Sequence, residues 1–333
     1  GTARVEVFFV DQDDEGTTSG RSHHLEVDDA GFNLKGSGEA DNGLKYGAKI
    51  EVDADAGGGA LSIDEKMLWF SGGWGRLELG NDDGAEGVMG NHGGDLNSGA
   101  GGYDGGPSSA FDFNAVEVQG PGIGNNSGDA TKITYFTPRV NGIQVGVSYT
   151  PDTSADGTDS IATIDADAAG VQDQISLGIN FVQSFDDVGI RLSYVLSHGD
   201  AEDNDTRDTN SYAVGAQVDF GNISVAAGYG DAGDSGETAA ARLLRVIDDQ
   251  QWADFTVRYK DGPMTVSAGY FSGSASVAGA ADDDVDFFSV GAGYAVAPGL
   301  SIYAGFDVID INRDGTANDN DATLLTIGTS MSF

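Results

Sequence analysis

Along most of the chain apolar residues fall at every second position, the period of a β-strand with two unlike faces. Arg4–Val10 sets the type, with Val5, Val7 and Phe9 on one face and Arg4, Glu6 and Phe8 on the other. The same alternation predicts a second strand running to about Lys35, through Ala30, Phe32 and Leu34, and a third through Leu44, Tyr46, Ala48, Ile50 and Val52. A fourth places Leu61, Ile63, Met67 and Trp69 on one face, with Glu65 as the exception, and a fifth carries Leu77 and Leu79. From Ile133 onward the pattern is plainer, as in Ile190, Leu192, Tyr194 and Leu196, or Tyr212, Val214, Ala216, Val218 and Phe220. Counted to the last strand, where Leu325, Ile327, Met331 and Phe333 share a face, the chain predicts sixteen strands.

The connections alternate as well. Eight long acidic ones are separated by seven short ones, such as Asp186–Asp187, Gly221–Asn222 and Pro298–Gly299. An up-and-down barrel with tight turns at one rim and long loops at the other has this rhythm. The second face of the strands carries Gly, Ser, Thr, Gln, Asp and Arg, too polar for a dry core. Alternation alone does not separate a barrel from a soluble sandwich, but sixteen strands with one polar face favour a water-filled lumen. The expected fold class is therefore all-β, a 16-stranded antiparallel transmembrane β-barrel forming a single domain over residues 1–333. Aromatic residues at strand ends suggest two interfacial girdles: Phe9, Tyr149, Tyr229 and Tyr270 at the long-loop end, and Phe220, Tyr259 and Phe333 at the other.

One connection breaks the rhythm by its length. Asn81 to Ala130 is glycine-rich, acidic and almost without hydrophobic period. An unstructured run of that size inside a compact domain usually has a function, and its place between strands suggests a loop folded into the bore.

Composition narrows the classes. With 54 acids against 16 bases the net charge is −38, which excludes a nucleic-acid partner and favours small cations. There is no cysteine, so neither a disulfide framework nor a thiolate metal site is expected. No apolar run approaches the twenty residues of a membrane helix, which leaves barrel strands open. No signal peptide precedes Gly1, so an exported protein would be represented by its mature chain. The four histidines lie in predicted loops or at strand ends, with no HExxH or GxSxG pattern, and enzyme chemistry is not expected.

Gly31-Phe32-Asn33-Leu34-Lys35-Gly36 with Gly43-Leu44-Lys45, then Phe70-Ser71-Gly72-Gly73-Trp74-Gly75-Arg76-Leu77-Glu78-Leu79-Gly80, resemble the first hairpins of the general diffusion porins of Gram-negative outer membranes, nearest those of alphaproteobacteria. Tyr135-Phe136-Thr137-Pro138 with Gly142, Gly146, Ser148 and Tyr149 resembles the hairpin after the pore loop, and Phe333 matches the terminal aromatic read by barrel assembly. These motifs cover the first 150 residues; topology and Phe333 support the rest. The resemblance implies a homotrimer in outer-membrane lipid and lipopolysaccharide. It also implies short periplasmic turns, a third external loop narrowing the pore, and passive diffusion of small hydrophilic solutes without a required cofactor. The loop at about residues 53 to 60 would latch onto a neighbouring subunit.

On this reading the acidic side of the constriction is Asp82, Asp83, Glu86, Asp95, Asp104, Asp112 and Glu117. Strand phase puts Arg4, Lys35, Lys45, Lys49, Lys66, Arg76 and Lys132 on the opposing wall, because a lysine facing lipid at mid-depth costs about 2–4 kcal/mol. A basic wall across from an acidic loop makes a transverse field. The plainer reading is that these bases neutralise neighbours such as Glu51 and Glu78. Where the enteric porins carry an arginine cluster, this chain has Gly31, Lys66 and Thr134, which with the acid excess predicts cation selectivity. Calcium or magnesium on the acidic loops is a further expectation, with Asp82, Asp83 and Asp95 as the pore-loop candidates; hard cations prefer oxygen ligands. Two other readings stand beside this one: a sugar-type channel, which needs an aromatic ladder along the lumen, and a secreted, calcium-stabilised all-β structural or adhesion protein.

Overall fold

The structure, a computed structural model, describes residues 1–13, 22–54, 61–98, 102–103, 118, 120–123, 126–153, 171–201, 207–235, 247–278, 281–313 and 319–333. Sixteen strands form: β1 Thr2–Gln12, β2 His23–Glu39, β3 Lys45–Asp53, β4 Ser62–Gly72, β5 Gly75–Asn81, β6 Thr131–Phe136, β7 Ile143–Asp152 and β8 Val171–Phe185. They continue as β9 Val188–Ala201, β10 Thr209–Phe220, β11 Ile223–Asp231, β12 Ile247–Asp261, β13 Met264–Val277, β14 Asp283–Ala297, β15 Leu300–Asn312 and β16 Asn320–Ser332. Each pairs antiparallel with its sequence neighbour, and β1 pairs with β16, so the sheet closes into a barrel with no edge. At the seam Gly1 N donates to Phe333 O at 2.7 Å, and Phe333 N to Gly1 O at 3.0 Å.

The outward face is apolar, as alternation requires: Leu34, Ile50, Leu68, Ile133, Ile179, Val257 and Ile327 are all exposed around the wall. No helix of the described residues is long and apolar enough to cross a membrane. Tyr149 and Tyr270 are exposed at the long-loop end and donate hydroxyl hydrogen bonds to Asp173 and Asp286, whose carboxylates lie on the water side of the apolar band. An apolar ring with a wet tip is what an interfacial girdle needs.

The register shifts at several places around the barrel, and the shifts in β2 and β4 bear on the predicted faces. In β2 the register slips opposite Thr2–Arg4, where Asp29 sits at φ 52°, so Leu25 and Val27 as well as Phe32 and Leu34 all face outward. In β4 the slip falls between the partners of Ile50 and Val52, where Asp64 and Glu65 oppose the single residue Glu51. The expectation that Leu61, Ile63, Met67 and Trp69 share a face is thereby corrected. Ile63 is outward, Met67 is buried on the inside, and Trp69 pairs with the buried Glu78 and packs under the Arg76 guanidinium.

The inner face is less uniformly polar than the sequence suggested. Val195, Ala213, Trp252, Phe271, Phe287 and Ile309 are inward and buried, making an apolar patch inside one half of the barrel. The long connection from β5 to β6 packs against it through Ala85, Met89, Tyr103 and Ile123.

Candidate pore constriction

The connection between β5 and β6 enters the bore, as its length suggested, but it is not free of regular structure. Its described residues hold one helical turn, α1 (Ala85–Met89), and a 3-10 turn, Gly94–Leu96. Both are too short to leave a readable hydrophobic period.

Wall side chains hold this loop by its backbone amides. Ala85 N donates to Ser148 Oγ of β7 at 2.7 Å, Asn91 N to Ser193 Oγ of β9 at 3.0 Å, and Ser98 N to Ser267 Oγ of β13 at 2.7 Å. The Asp254 carboxylate of β12 accepts from Gly93 N at 2.8 Å and Gly94 N at 3.0 Å, and lies 2.8 Å from His92 Nδ1. Further along, Gly102 N donates to Asp307 Oδ1 of β15 at 3.2 Å, and the Tyr103 hydroxyl lies 2.6 Å from Thr256 Oγ1. On the return, Trp252 Nε1 donates to Gly122 O at 2.9 Å. A loop with few side chains must satisfy its backbone groups from the wall, and its buried N–H groups require acceptors. The inward Ser and Asp positions of β7 to β15 supply them.

Glycine makes the approach close enough. A Cβ at Gly215 would stand 1.5 Å from Asn91 O, and one at Gly291 1.5 Å from Ser98 O. Wall backbone and loop backbone meet there with no room for any side chain.

The predicted acids divide into distinct roles. Glu86 is only 1% exposed and does not face the channel. Its Oε1 accepts from Ser127 N at 3.0 Å and Ser127 Oγ at 2.7 Å, tying the outgoing and returning limbs together. This corrects its assignment to the pore surface: the helical turn points it back into the loop. Asp83 and Asp95 are exposed, and Asp82 is partly covered beside Lys49 at 3.8 Å. Although Asp83 reaches solvent, the protein around it strips part of its hydration, and with Asp129 and Asp82 nearby this pushes its carboxyl above the usual range. Burial does the same for Asp129, reinforced by Asp64. Asp104, Asp112 and Glu117 lie outside the described residues.

The candidate cation trio does not share partners. Asp95 caps His92 N at 3.1 Å in the Asp254 neighbourhood, while Asp82 stands by Lys49. No group of three or more His, Asp or Glu side chains among the described residues is arranged to hold a metal ion.

The predicted bases divide too. Lys132 is 4% exposed, and its Nζ donates to the carbonyl oxygens of Asp82 and Gly128; it is a buried pin at the loop's base, not a free wall charge. Its phase was read correctly, but the descending loop covers it. Lys66 is a second correction. The β4 bulge pairs it with the outward Ile50, next to the outward Leu68, so it leaves the lumen face. Lys49 is inward among Glu51 at 3.1 Å, Glu65 and Asp82, and Arg76 bonds Glu78, so both neutralise neighbours. Arg4 lies 4.0 Å from Glu6 and 3.5 Å from Asp29. Lys35 and Lys45 are exposed on the inner face, on the wall the described loop leaves uncovered.

Three inward bases were missed. Arg191 pairs in register with the inward Gln217, Arg258 with the inward Ser267, and Lys260 follows two residues later near the short turn. Alternation could have found them, since Arg191 precedes the outward Leu192 and Arg258 follows the outward Val257.

Comparison with known proteins agrees with this geometry. A family model described as Gram-negative porin matches residues 1–326. An uncharacterized protein of Rickettsia conorii is 25% identical over 295 residues, 69% of this chain and 66% of the relative. One of Rickettsia felis is 22% identical over 310 residues, 74% of this chain and 69% of the relative. The chain thus spans about two thirds of the length of these relatives. Among solved structures, an anion-selective porin from Comamonas acidovorans superposes with a TM-score of 0.66 at 16% identity, covering 100% of this chain and 98% of that one. A mutant of the Rh. blastica porin gives a TM-score of 0.60 at 20% identity, with 100% and 98% covered. At such identities the likeness establishes the fold.

Proposed function

The chain belongs to the Gram-negative porin family, and from that premise we propose that it forms a water-filled outer-membrane channel for passive diffusion of small hydrophilic solutes and ions, with a preference for cations. Family and fold are those of a channel rather than an enzyme. The observation that carries the reading is the loop held against the β7–β15 wall by Ser148, Ser193, Asp254, Ser267 and Asp307, which narrows the bore while its described residues leave Lys35 and Lys45 on the facing wall exposed.

General diffusion fits better than a sugar track. The inward aromatics Phe136, Trp252, Phe271 and Phe287 are each at most 7% exposed beneath or beside the loop, and the partly exposed inward rings Trp69 of β4 and Tyr303 of β15 stand on separate strands and make no ladder. The preference for cations rests on charge. Exposed Asp83 and Asp95 stand on the loop, while Lys49, Arg76 and Lys132 are spent on neighbouring acids or carbonyls. The same fold serves anions in the Comamonas porin, so side chains rather than topology set the sign. A homotrimer belongs to this proposal; it would cover part of the exposed apolar wall.

A planar bilayer with a KCl gradient tests the proposal. Stepwise conductance with a reversal potential of cation sign is expected. Anion sign would overturn the selectivity, and absence of steps from folded protein would overturn the channel. An SDS-resistant oligomer that dissociates on boiling is the expected sign of the trimer.

A further inference from the structure

Beneath the inward loop, towards the short-turn end of β12 to β15, the wall forms a recess of about 470 Å³ that opens to the lumen. Its charged lining is Arg4, Arg258 and Lys260, and among the described residues no carboxylate lines it. In a chain of net charge −38 such a place is an exception that needs a cause. Arg4 has acidic neighbours, Glu6 at 4.0 Å and Asp29 at 3.5 Å, which offset part of its charge. Arg258 and Lys260 come from a strand whose inward neighbours are Thr256 and Asp254, both turned up towards the loop.

The loop contributes the roof. Asn97 and Ser98 line the recess, and Ser98 is 9% exposed, held in place by its own amide bond to Ser267 Oγ at 2.7 Å. Asn97 Nδ2 and Oδ1, Ser98 Oγ and Arg258 Nε are all shielded from bulk solvent and make no hydrogen bond within the protein. Three of these four atoms can donate. Unmade bonds of buried donors are costly, and Asn97, Ser98 and Arg258 all border this one recess, with the Asn97 amide lodged between Gly102 and Gly269 in its roof. At Gly293 in the wall nothing lies within 4 Å of where a Cβ would stand, so the hollow continues over that residue.

We propose that this recess is a binding subsite for small solutes bearing a carboxylate or phosphate oxyanion, held by Arg258 and Lys260 beneath a roof of Asn97 and Ser98. A planar guanidinium fork suits such an oxyanion, and a hollow of this size accepts a small metabolite. The subsite lies past the acidic loop, so it would retain anions arriving at the inner vestibule in a channel whose narrowest part favours cations. Passage requires release, so binding is weak, with dissociation constants on the order of 1 mM. Access to the recess rests on the channel reading above; the binding itself does not.

Two measurements separate the two readings. In a bilayer, citrate and glucose 6-phosphate are titrated against K⁺ current, with glucose as the uncharged control. Calorimetry on the detergent-solubilised protein uses the same three probes. Saturable block and saturable heat from citrate, glucose 6-phosphate or both, but not from glucose, are expected. Which of the two probes binds distinguishes carboxylate from phosphate. The double variant Arg258→Gln with Lys260→Gln should raise the half-blocking concentration at least about tenfold, from loss of charge-assisted bonds. Gly293→Phe, which fills the hollow without touching a charge, should do the same while unblocked conductance persists. Saturable heat without conductance upholds the subsite and sinks the channel. Absence of saturable binding by either anion, or binding unchanged in both variants, overturns the subsite.

Discussion

The carbonyl oxygen of Asn91 lies where a Cβ of Gly215 would be, 1.5 Å from that ideal position. Loop and wall are in backbone contact at this point, and the fit is decided by the absence of one carbon. Gly215→Val should therefore push the loop off β10 while leaving the strand alternation intact. Overpacking of this kind costs about 1–3 kcal/mol. The expected outcome is a folded barrel with a changed single-channel conductance and a loop newly sensitive to added protease. Unaltered conductance would show that the loop does not set the bore.

Asp254 is the tightest single anchor, taking Gly93 N, Gly94 N and the His92 ring. Asp254→Ala leaves Gly93 N without its acceptor in a buried place, worth about 1–3 kcal/mol, and leaves Gly94 N with only His92 Nδ1, 3.1 Å away. Open-channel current noise should rise sharply, and Asp254→Asn, which keeps one acceptor oxygen, should fall between. Equal noise in all three proteins would place the restraint elsewhere in the loop.

The strands were legible because alternation survives any inaccuracy in their ends: sixteen were expected and sixteen form, with the pore loop at the third long connection. Phase was legible only between bulges. Lys66 was misplaced because the extra residue at Asp64–Glu65 inverts every position after it, and no local composition announces a bulge. Glu86 and Lys132 were misread for a different reason. Their exposure depends on where loop residues 82 to 130 settle, a contact between distant segments. The Ser and Asp anchors were invisible individually, since an inward serine in a polar lumen looks like ordinary lining.

Asp83 and Asp129 titrate above the usual aspartate value of about 3.9, chiefly because burial disfavours their charged forms and neighbouring acids add to it. Because the folded pKa is the higher one, their charge is a folding penalty above that pKa, relieved as pH falls through it and gone below the unfolded value. The same protonation removes negative charge at the loop. Cation preference should therefore begin to fall, and thermal stability to rise slightly, at a pH above the ordinary carboxylate range. Reversal potentials measured from pH 7 downward should show this early phase, and Asp83→Asn with Asp129→Asn should abolish it. A single transition at ordinary carboxylate pH in the unaltered protein would contradict the assignment.

Lys132 holds the loop's base together by donating to the Asp82 and Gly128 carbonyls, with Glu86, Asp83 and Asp129 around it. Removing one partner from a buried charge cluster typically costs about 3–5 kcal/mol. Lys132→Met should lower the thermal midpoint of the barrel and disorder the loop's first turn, and acid conditions should partly rescue it by protonating the stranded carboxylates. Lys132→Arg keeps the charge and should retain most stability. If Lys132→Met proved as stable as the parent at neutral pH, the lysine would be wall lining rather than a structural pin.

The β4 bulge makes a prediction that separates phase from composition. Lys66 pairs with outward Ile50, whereas Lys35 pairs with inward Lys49. Lys66→Leu should leave conductance and reversal potential unchanged, and relieve a lipid-facing charge worth up to about 2–4 kcal/mol at mid-depth. Lys35→Glu, on the uncovered inner wall, should shift the reversal potential further towards cations, and the shift should shrink in high salt as the Debye length contracts to about 3 Å at 1 M. If the strand ran without the bulge, Lys66 and Leu68 would turn inward and Lys66→Leu would itself shift the reversal potential, while Lys35, on an unshifted ladder with Lys49, would keep its place. Conductance of the Lys66→Leu channel thus reads out the register of a single hairpin.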